Sequence, residues 1–196
     1  MKALIAITLT PLFMLLGGQS LTNMTVDITE STVTWKGYKV TGSHEGTIAL
    51  KSGELTYDTD GGLTGGSIVI DMTTIACTDL KAGGAAKLEG HLKSDDFFGV
   101  ANYPEANLTI TNVAAKGTPG DYKITADLTI KETTKPVKFY ANIADKDGKR
   151  VATADLKIDR TEYDVRYGSG SFFDNLGDKT IYDEFDISVQ LVSAAE

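Results

Sequence analysis

The residues of this chain that suit bond-making chemistry are few: two histidines, His44 and His91, and one cysteine, Cys77, among 196 residues. With Glu45 or Asp71 they would supply donors for a metal. No pair stands at a ligand spacing such as His-x-x-x-His, so the expectation is that His44 belongs to a loop and His91 hydrogen-bonds a backbone carbonyl. Ser94 follows His91 by three residues and shares its side of a helix, as a nucleophile and its base would need. Yet Ser94 stands ahead of Asp95 and Asp96, where a short turn wants a capping hydroxyl. There is no GxSxG elbow, and Gly168 to Ser171 (GSGS) does not match one. A single cysteine excludes an internal disulfide and redox chemistry by a cysteine pair. These residues argue against an enzyme and against a metal or other cofactor.

The aromatic residues say more. Phe97 and Phe98 form one adjacent pair and Phe172 and Phe173 another, each in a segment without strand alternation. Neighbouring aromatics cannot both enter one buried face of a strand, so one of each pair is expected to cover an apolar opening, with plain core packing as the ordinary alternative. Arg160, in IDRT, has two readings as well. A guanidinium binds a phosphate bidentately or meets a polar ring head, or it pairs with Asp159, Asp164 or another of the many carboxylates.

These side chains must be positioned by strands. Tyr122, Ile124, Ala126, Leu128 and Ile130 alternate with polar residues, as do Val137, Phe139, Ala141 and Ile143, then Ala152, Ala154, Leu156 and Ile158, then Phe185, Ile187, Val189 and Leu191. Earlier in the chain, Thr32 to Val40 reads as a strand with a bend at Gly37. Gly46 to Lys51 and Gly53 to Tyr57 read as two strands joined by a tight link. A fourth runs from Leu63 to Met72 after the DTDGG turn. Alternation stops at Thr73, and Lys87 to Pro104 reads as a helix and turn, with Leu88 and Leu92 on one face. Gly168 to Thr180 is a second irregular segment, and Glu132 to Pro136 reads as a turn. Eight or more short strands with no helix–strand repeat predict a closed antiparallel barrel or a sandwich. An eight-stranded barrel has room inside for side chains or one small ligand.

The length suits one domain. Lys2, the apolar run Ala3 to Leu16 and the small residues Gly18 and Ser20 predict a signal peptide over residues 1–20, cut near Ser20, with the domain in 21–196. The run is broken by Pro11 and is shorter than the roughly 20 residues a spanning helix needs. The expectation is therefore an exported protein, periplasmic or extracellular, that does not span the membrane. The formal net charge of −8, or −9 once Lys2 is removed with the signal, disfavours nucleic acid and anionic lipid surfaces as partners.

Four blocks in order carry a resemblance: GHLKSDDFF (Gly90 to Phe98), Tyr103–Pro104, LTIKETTKPV (Leu128 to Val137) and IDRTEYDVRYGSGSFFDNLGDKTIYD (Ile158 to Asp183). Together they resemble the YceI-like family, the secreted lipocalin-like polyisoprenoid-binding proteins. Glu132 departs from the glycine expected there in this family, which suits a different turn. The resemblance implies an all-β, lipocalin-like antiparallel barrel of about eight strands with small helical insertions. It also implies an isoprenoid-type lipid, such as a polyprenyl phosphate or an isoprenoid quinone, held in the interior without catalysis. The side chains expected at that ligand are Ile124, Leu128, Ile130, Val137, Phe139 and Leu156 in the wall, with Phe97, Phe98, Arg160, Phe172 and Phe173 near the mouth. The alternative is an exported structural or protein-interaction module whose barrel is filled and holds no lipid.

Overall fold

A computed structural model describes residues 20–193, so the expected signal peptide lies outside the described residues apart from Ser20. The strands are β1 (Thr22–Thr25), β2 (Thr32–Lys39), β3 (Gly42–Tyr57), β4 (Leu63–Cys77), β5 (Glu105–Ala115), β6 (Asp121–Ile130), β7 (Thr133–Lys146), β8 (Lys149–Asp159) and β9 (Ile181–Ser193). One α-helix, α1 (Ala82–Lys93), lies between β4 and β5, and a 3₁₀ helix, Arg160–Tyr163, follows β8. The sheet runs β3-β2-β9-β8-β7-β6-β5-β4, and β4 pairs back onto β3, closing an antiparallel barrel of eight strands. β1 pairs with the second half of β3, Thr22 to Thr25 against Tyr57 to Glu54, and prolongs the place that β2 takes beside the first half.

Alternation places one apolar face of each strand inward, and β6 does so cleanly: Ile124, Ala126 and Ile130 are buried while Lys123, Thr125 and Asp127 look outward or sit at intermediate depth. The inserted segments divide unevenly between the two ends. At one end lie α1, the turn over residues 94–104, the segment 160–180 and the β2–β3 and β6–β7 hairpins. The other end has the turns 58–62, 116–120 and 147–148, together with the link from β1 to β2.

Several boundaries differ from the sequence expectation. Gly42 to Tyr57 is one strand, not two joined by a tight link, and the pairing of β3 with β4 shifts register between Leu50 and Ser52, so that Lys51 is an extra residue in a bulge. β4 continues past Met72 to Cys77, and α1 begins at Ala82, ahead of Lys87, despite Gly83 and Gly84. Its buried Ala85 with Leu88 and Leu92 makes one apolar stripe, and packing of that stripe outweighs the low helix propensity of the glycines. The expected turn Glu132 to Pro136 shrinks to Lys131 and Glu132, and Pro136 stands within β7. It falls in the stretch that pairs with β6 alone, since pairing with β8 begins at Tyr140, so its missing N–H costs no bond toward β8. Lys131 carries the left-handed backbone of this turn, with φ of 56°, which leaves position 132 free to be glutamate.

Gly46 shows how tightly the wall is built. A Cβ there would meet the Ala76 carbonyl at 1.8 Å and the Trp35 ring at 2.7 Å. Only glycine lets the Trp35 indole cross at this point, where its N–H donates to the carbonyls of Thr47 at 3.3 Å and Ala76 at 3.2 Å.

Candidate functional site

The barrel is not filled. An apolar cavity of about 440 Å³ occupies its interior, lined by side chains from all eight barrel strands. That volume lies within the range of sites that enclose one small ligand. Along β4 the lining runs from Leu63 through Ile68, Ile70 and Met72 to Ile75, about 40 Å of strand at roughly 3.3 Å per residue, so the cavity is elongated.

Of the expected wall residues, Ile124, Leu128, Ile130, Phe139 and Leu156 line this cavity. Val137 does not. It shares the inward face of β7 and is partly buried against the core, but it lies where β7 has lost β8 as a neighbour and the 3₁₀ helix Arg160–Tyr163 packs against the strand instead. Phe97 and Phe98 both line the cavity, whereas Phe172 and Phe173 are 47% and 51% exposed and lie outside the lining. The two pairs differ because Phe97 and Phe98 sit on a turn hydrogen-bonded back to Ser94 under α1, while Phe172 and Phe173 sit on a loop bonded to Ser169 at the surface.

Other lining residues belong to the same inward phase and lie beyond the expected wall set. Ile48, Leu50, Leu55, Phe185 and Ile187 extend the wall, and Leu88, His91 and Leu92 of α1 cover it from one end. Their signal was the alternation itself and the i, i+4 spacing of the two leucines.

Polar side chains gather at the end that α1 covers: Tyr38, Lys39, His44, Arg160, Tyr182 and Glu184. Lys39, Tyr182 and Glu184 are exposed as well as lining, which marks where the cavity reaches the surface. The wall is broken there by a register shift. Gly37 faces Phe185 and Lys39 faces Ile181, so β9 carries two extra residues between these pairs, opposite the bend expected at Gly37.

Arg160 repairs this break. It is 4% exposed, and its guanidinium donates to the carbonyls of Tyr182 at 3.1 Å, Ile181 at 3.0 Å and Val165 at 2.7 Å. Its carboxylate partner is Asp183 at 3.5 Å, neither Asp159, which bonds Thr161, nor Asp164, which pairs with Arg166. Burial lowers the guanidinium's pKa, and the charges of Asp183 and Asp159 oppose that shift. Arg160 also lies over the Phe97 ring, 5.6 Å from its centroid, in a cluster where His91 meets Phe97 at 4.9 Å and Tyr167 at 4.5 Å edge to face. With three donors given to backbone, Arg160 acts first as a strut, and little of it is left for a ligand head.

The remaining chemistry-bearing residues are held in structural bonds. The Ser94 hydroxyl donates to the His91 carbonyl at 2.8 Å and closes the C-terminus of α1, so it caps the helix before it and is not aimed at the imidazole. The His91 ring reaches Asp96 at 3.6 Å, in place of the expected backbone carbonyl. His44 lies in β3, not a loop, and its Nδ1 meets Asp79 at 3.0 Å, while the Cys77 thiol donates to the other oxygen of Asp79 at 3.1 Å. The carboxylate stands between thiol and imidazole, so the two do not form a nucleophile and base. The thiol's bond, joined by those of the His44 ring and the Glu45 N–H, holds Asp79 down to about 2, and burial pushes the Cys77 thiol up. Among the described residues no group of three or more histidine, cysteine or acidic side chains is placed to hold a metal, and no helix is long and apolar enough to cross a membrane.

Comparison with known proteins agrees with this architecture. The sequence matches the YceI-like domain over residues 24–193. A UPF0312 protein of Shewanella denitrificans is 46% identical over 57 residues, and Protein YceI of Escherichia coli is 43% identical over 58; each match spans only 29% of the relative's length and 29–30% of this chain. Among solved structures, Burkholderia cenocepacia BcnA superposes with a TM-score of 0.68 at 23% identity, over 85% of this chain and 98% of that one. A polyisoprenoid binding domain from Saccharophagus degradans, implicated in plant cell wall breakdown, gives 0.64 at 17% identity, over 90% and 100%. At such identities the two structures speak to the fold alone. The match across nearly all of the described barrel shows that the chain belongs to the YceI-like family.

Proposed function

We propose that this chain is an exported carrier or store that holds the tail of a long isoprenoid-type lipid, a polyprenyl phosphate or an isoprenoid quinone, in its barrel. The observation that carries this reading is the continuous apolar cavity of about 440 Å³, lined from all eight strands, with Lys39, Arg160 and Glu184 all toward one end. Export rests on the signal-like start of the sequence. The polyisoprenoid binding domain with the same fold supports the choice of ligand class. Binding without catalysis fits a site in which Ser94, Cys77, His44 and His91 are each committed to structural bonds or ring contacts.

In such a site the tail supplies most of the affinity. Burying each CH₂ yields about 0.8 kcal/mol, so a few isoprene units exceed the roughly 1.5–3 kcal/mol of one charged hydrogen bond. The head is selected at the polar end, where Lys39 and Tyr182 are exposed beside the opening. The test is to titrate the protein with one polyprenyl tail carrying a phosphate and the same tail carrying a quinone. Leu128→Ala and Phe139→Ala are expected to weaken both by a similar factor, and Lys39→Ala to weaken the phosphate more. No saturable binding of either lipid, or binding indifferent to both wall substitutions, would contradict the reading.

A further inference from the structure

Large exposed apolar side chains collect around the opening. Val40, Tyr167, Phe172, Phe173 and Tyr182 are each 46–52% exposed. They come from three segments that hydrogen bonds and packing tie together. The Val40 N–H donates to Thr180 at 3.1 Å, Ser169 bridges to Ile181, the Ser171 hydroxyl bonds Asp183 at 2.5 Å, and Tyr167 packs on His91 of α1. Tyr182 belongs both to this rim and to the lining of the cavity, so its ring joins the barrel interior to the outside, beside Lys39 and Glu184.

We propose that this rim docks the open end of the barrel on a zwitterionic lipid bilayer, so that a tail passes between cavity and membrane without crossing water. The proposal rests on the reading of the cavity as a lipid site. A tail leaving the mouth into solvent would meet the hydrophobic penalty on every methylene, and an apolar phase against the mouth removes it. Tyrosine at a membrane interface and phenylalanine below it are the residues such a contact uses. The charges beside the rim are of both signs, Lys39, Arg166 and Lys179 against Asp174, Asp178 and Glu184, on a chain whose formal net charge is −8. Attraction to an anionic surface is therefore not the driving force, and the occupant is a neutral one.

The test uses sucrose-loaded phosphatidylcholine vesicles sedimented with the protein, both free of isoprenoid. The wild type is expected in the pellet, and the double variant Phe172→Ser/Phe173→Ser is expected to partition at least about tenfold more weakly. Tyr140→Ser, which removes an exposed aromatic from the flank of the barrel, is expected to bind like the wild type. Adding phosphatidylglycerol is expected to bring no gain. Wild type left in the supernatant, undiminished pelleting of the double variant, or binding that requires the anionic lipid would overturn the proposal. So would a dimer in the absence of vesicles that the double variant abolishes, because the rim would then be meeting a second copy. Since no isoprenoid is present, failure here leaves the lipid titrations standing, and failure of those titrations leaves vesicle binding as measured.

Discussion

The two ends of the barrel solve the same closure problem differently. At the end of the short turns the chain seals itself with packed side chains: Met24, Val26 and Tyr57 are buried, and Arg150 lies over the Tyr57 ring at 4.3 Å while donating to the Gly61 carbonyl. At the other end the wall is broken by the extra residues of β9, and α1 and the segment 160–180 lie across it. A tight turn brings each strand straight back into register, so little is left to cover. A long insertion leaves a mouth, and its freed carbonyls need a donor from elsewhere. The sealed end is closed by tight turns and packed side chains, and the open end depends on its inserted segments and on the Arg160 strut that ties them to β9.

Exchanging the arginine at each end for alanine sharpens that difference most. Arg160→Ala leaves three buried or half-buried carbonyls without their donor and Asp183 without its cation, and is expected to cost about 3–5 kcal/mol in chemical denaturation. Arg150→Ala loses one carbonyl bond and a stacking contact, for about 1–2 kcal/mol. Equal losses would mean that the open end does not depend on its strut.

Cavity residues should come next. Phe139 faces empty space on one side, so Phe139→Ala is expected to cost about 1–2 kcal/mol of stability, below the roughly 3–5 of a close-packed phenylalanine, while weakening tail binding roughly tenfold. A full close-packed cost would argue that the cavity is closed in solution.

The bonds of Asp79 to Cys77 and His44 fasten β3 to the end of β4 at the open end. Its carboxyl, held at about 2 against an ordinary 3.8, contributes stability that is present above about pH 4 and lost as pH falls toward 2. Asp79→Asn is therefore expected to melt lower than the wild type at neutral pH, with the gap narrowing between pH 4 and 2. A gap constant through that window would show that the charge is not what matters.

The smallest effect is expected from Phe172→Ser/Phe173→Ser, within about 0.5 kcal/mol in thermal or chemical unfolding, because both rings are already half in water. A large loss would mean that the rim is structural.

What could be read from the sequence follows the same division. The alternation of Tyr122 to Ile130, of Val137 to Ile143 and of Ala152 to Ile158 announces barrel strands, and five of the six wall residues named from it line the cavity, because a period of two fixes which face turns inward. Phe97 with Phe98 and Phe172 with Phe173 looked alike, since nothing in an irregular segment has a period that separates inside from outside. β1 is not legible because four residues are too few to show alternation, and β3 reads as two strands parted near Ser52 because a bulge and a tight link share the same residues. The duty of Arg160 was hidden for a different reason. It answers a register shift between β2 and β9 that arises only when strands about 150 residues apart are brought together.

The claim that the cavity holds an isoprenoid tail is tested most directly by mass spectrometry of an organic extract of the protein purified from its native cells, beside an Ala154→Phe variant whose new ring enters the cavity. The account predicts an isoprenoid-type lipid in amounts comparable to the wild-type protein and its loss from the variant. No lipid in the wild type, or the same amount in both, would contradict it.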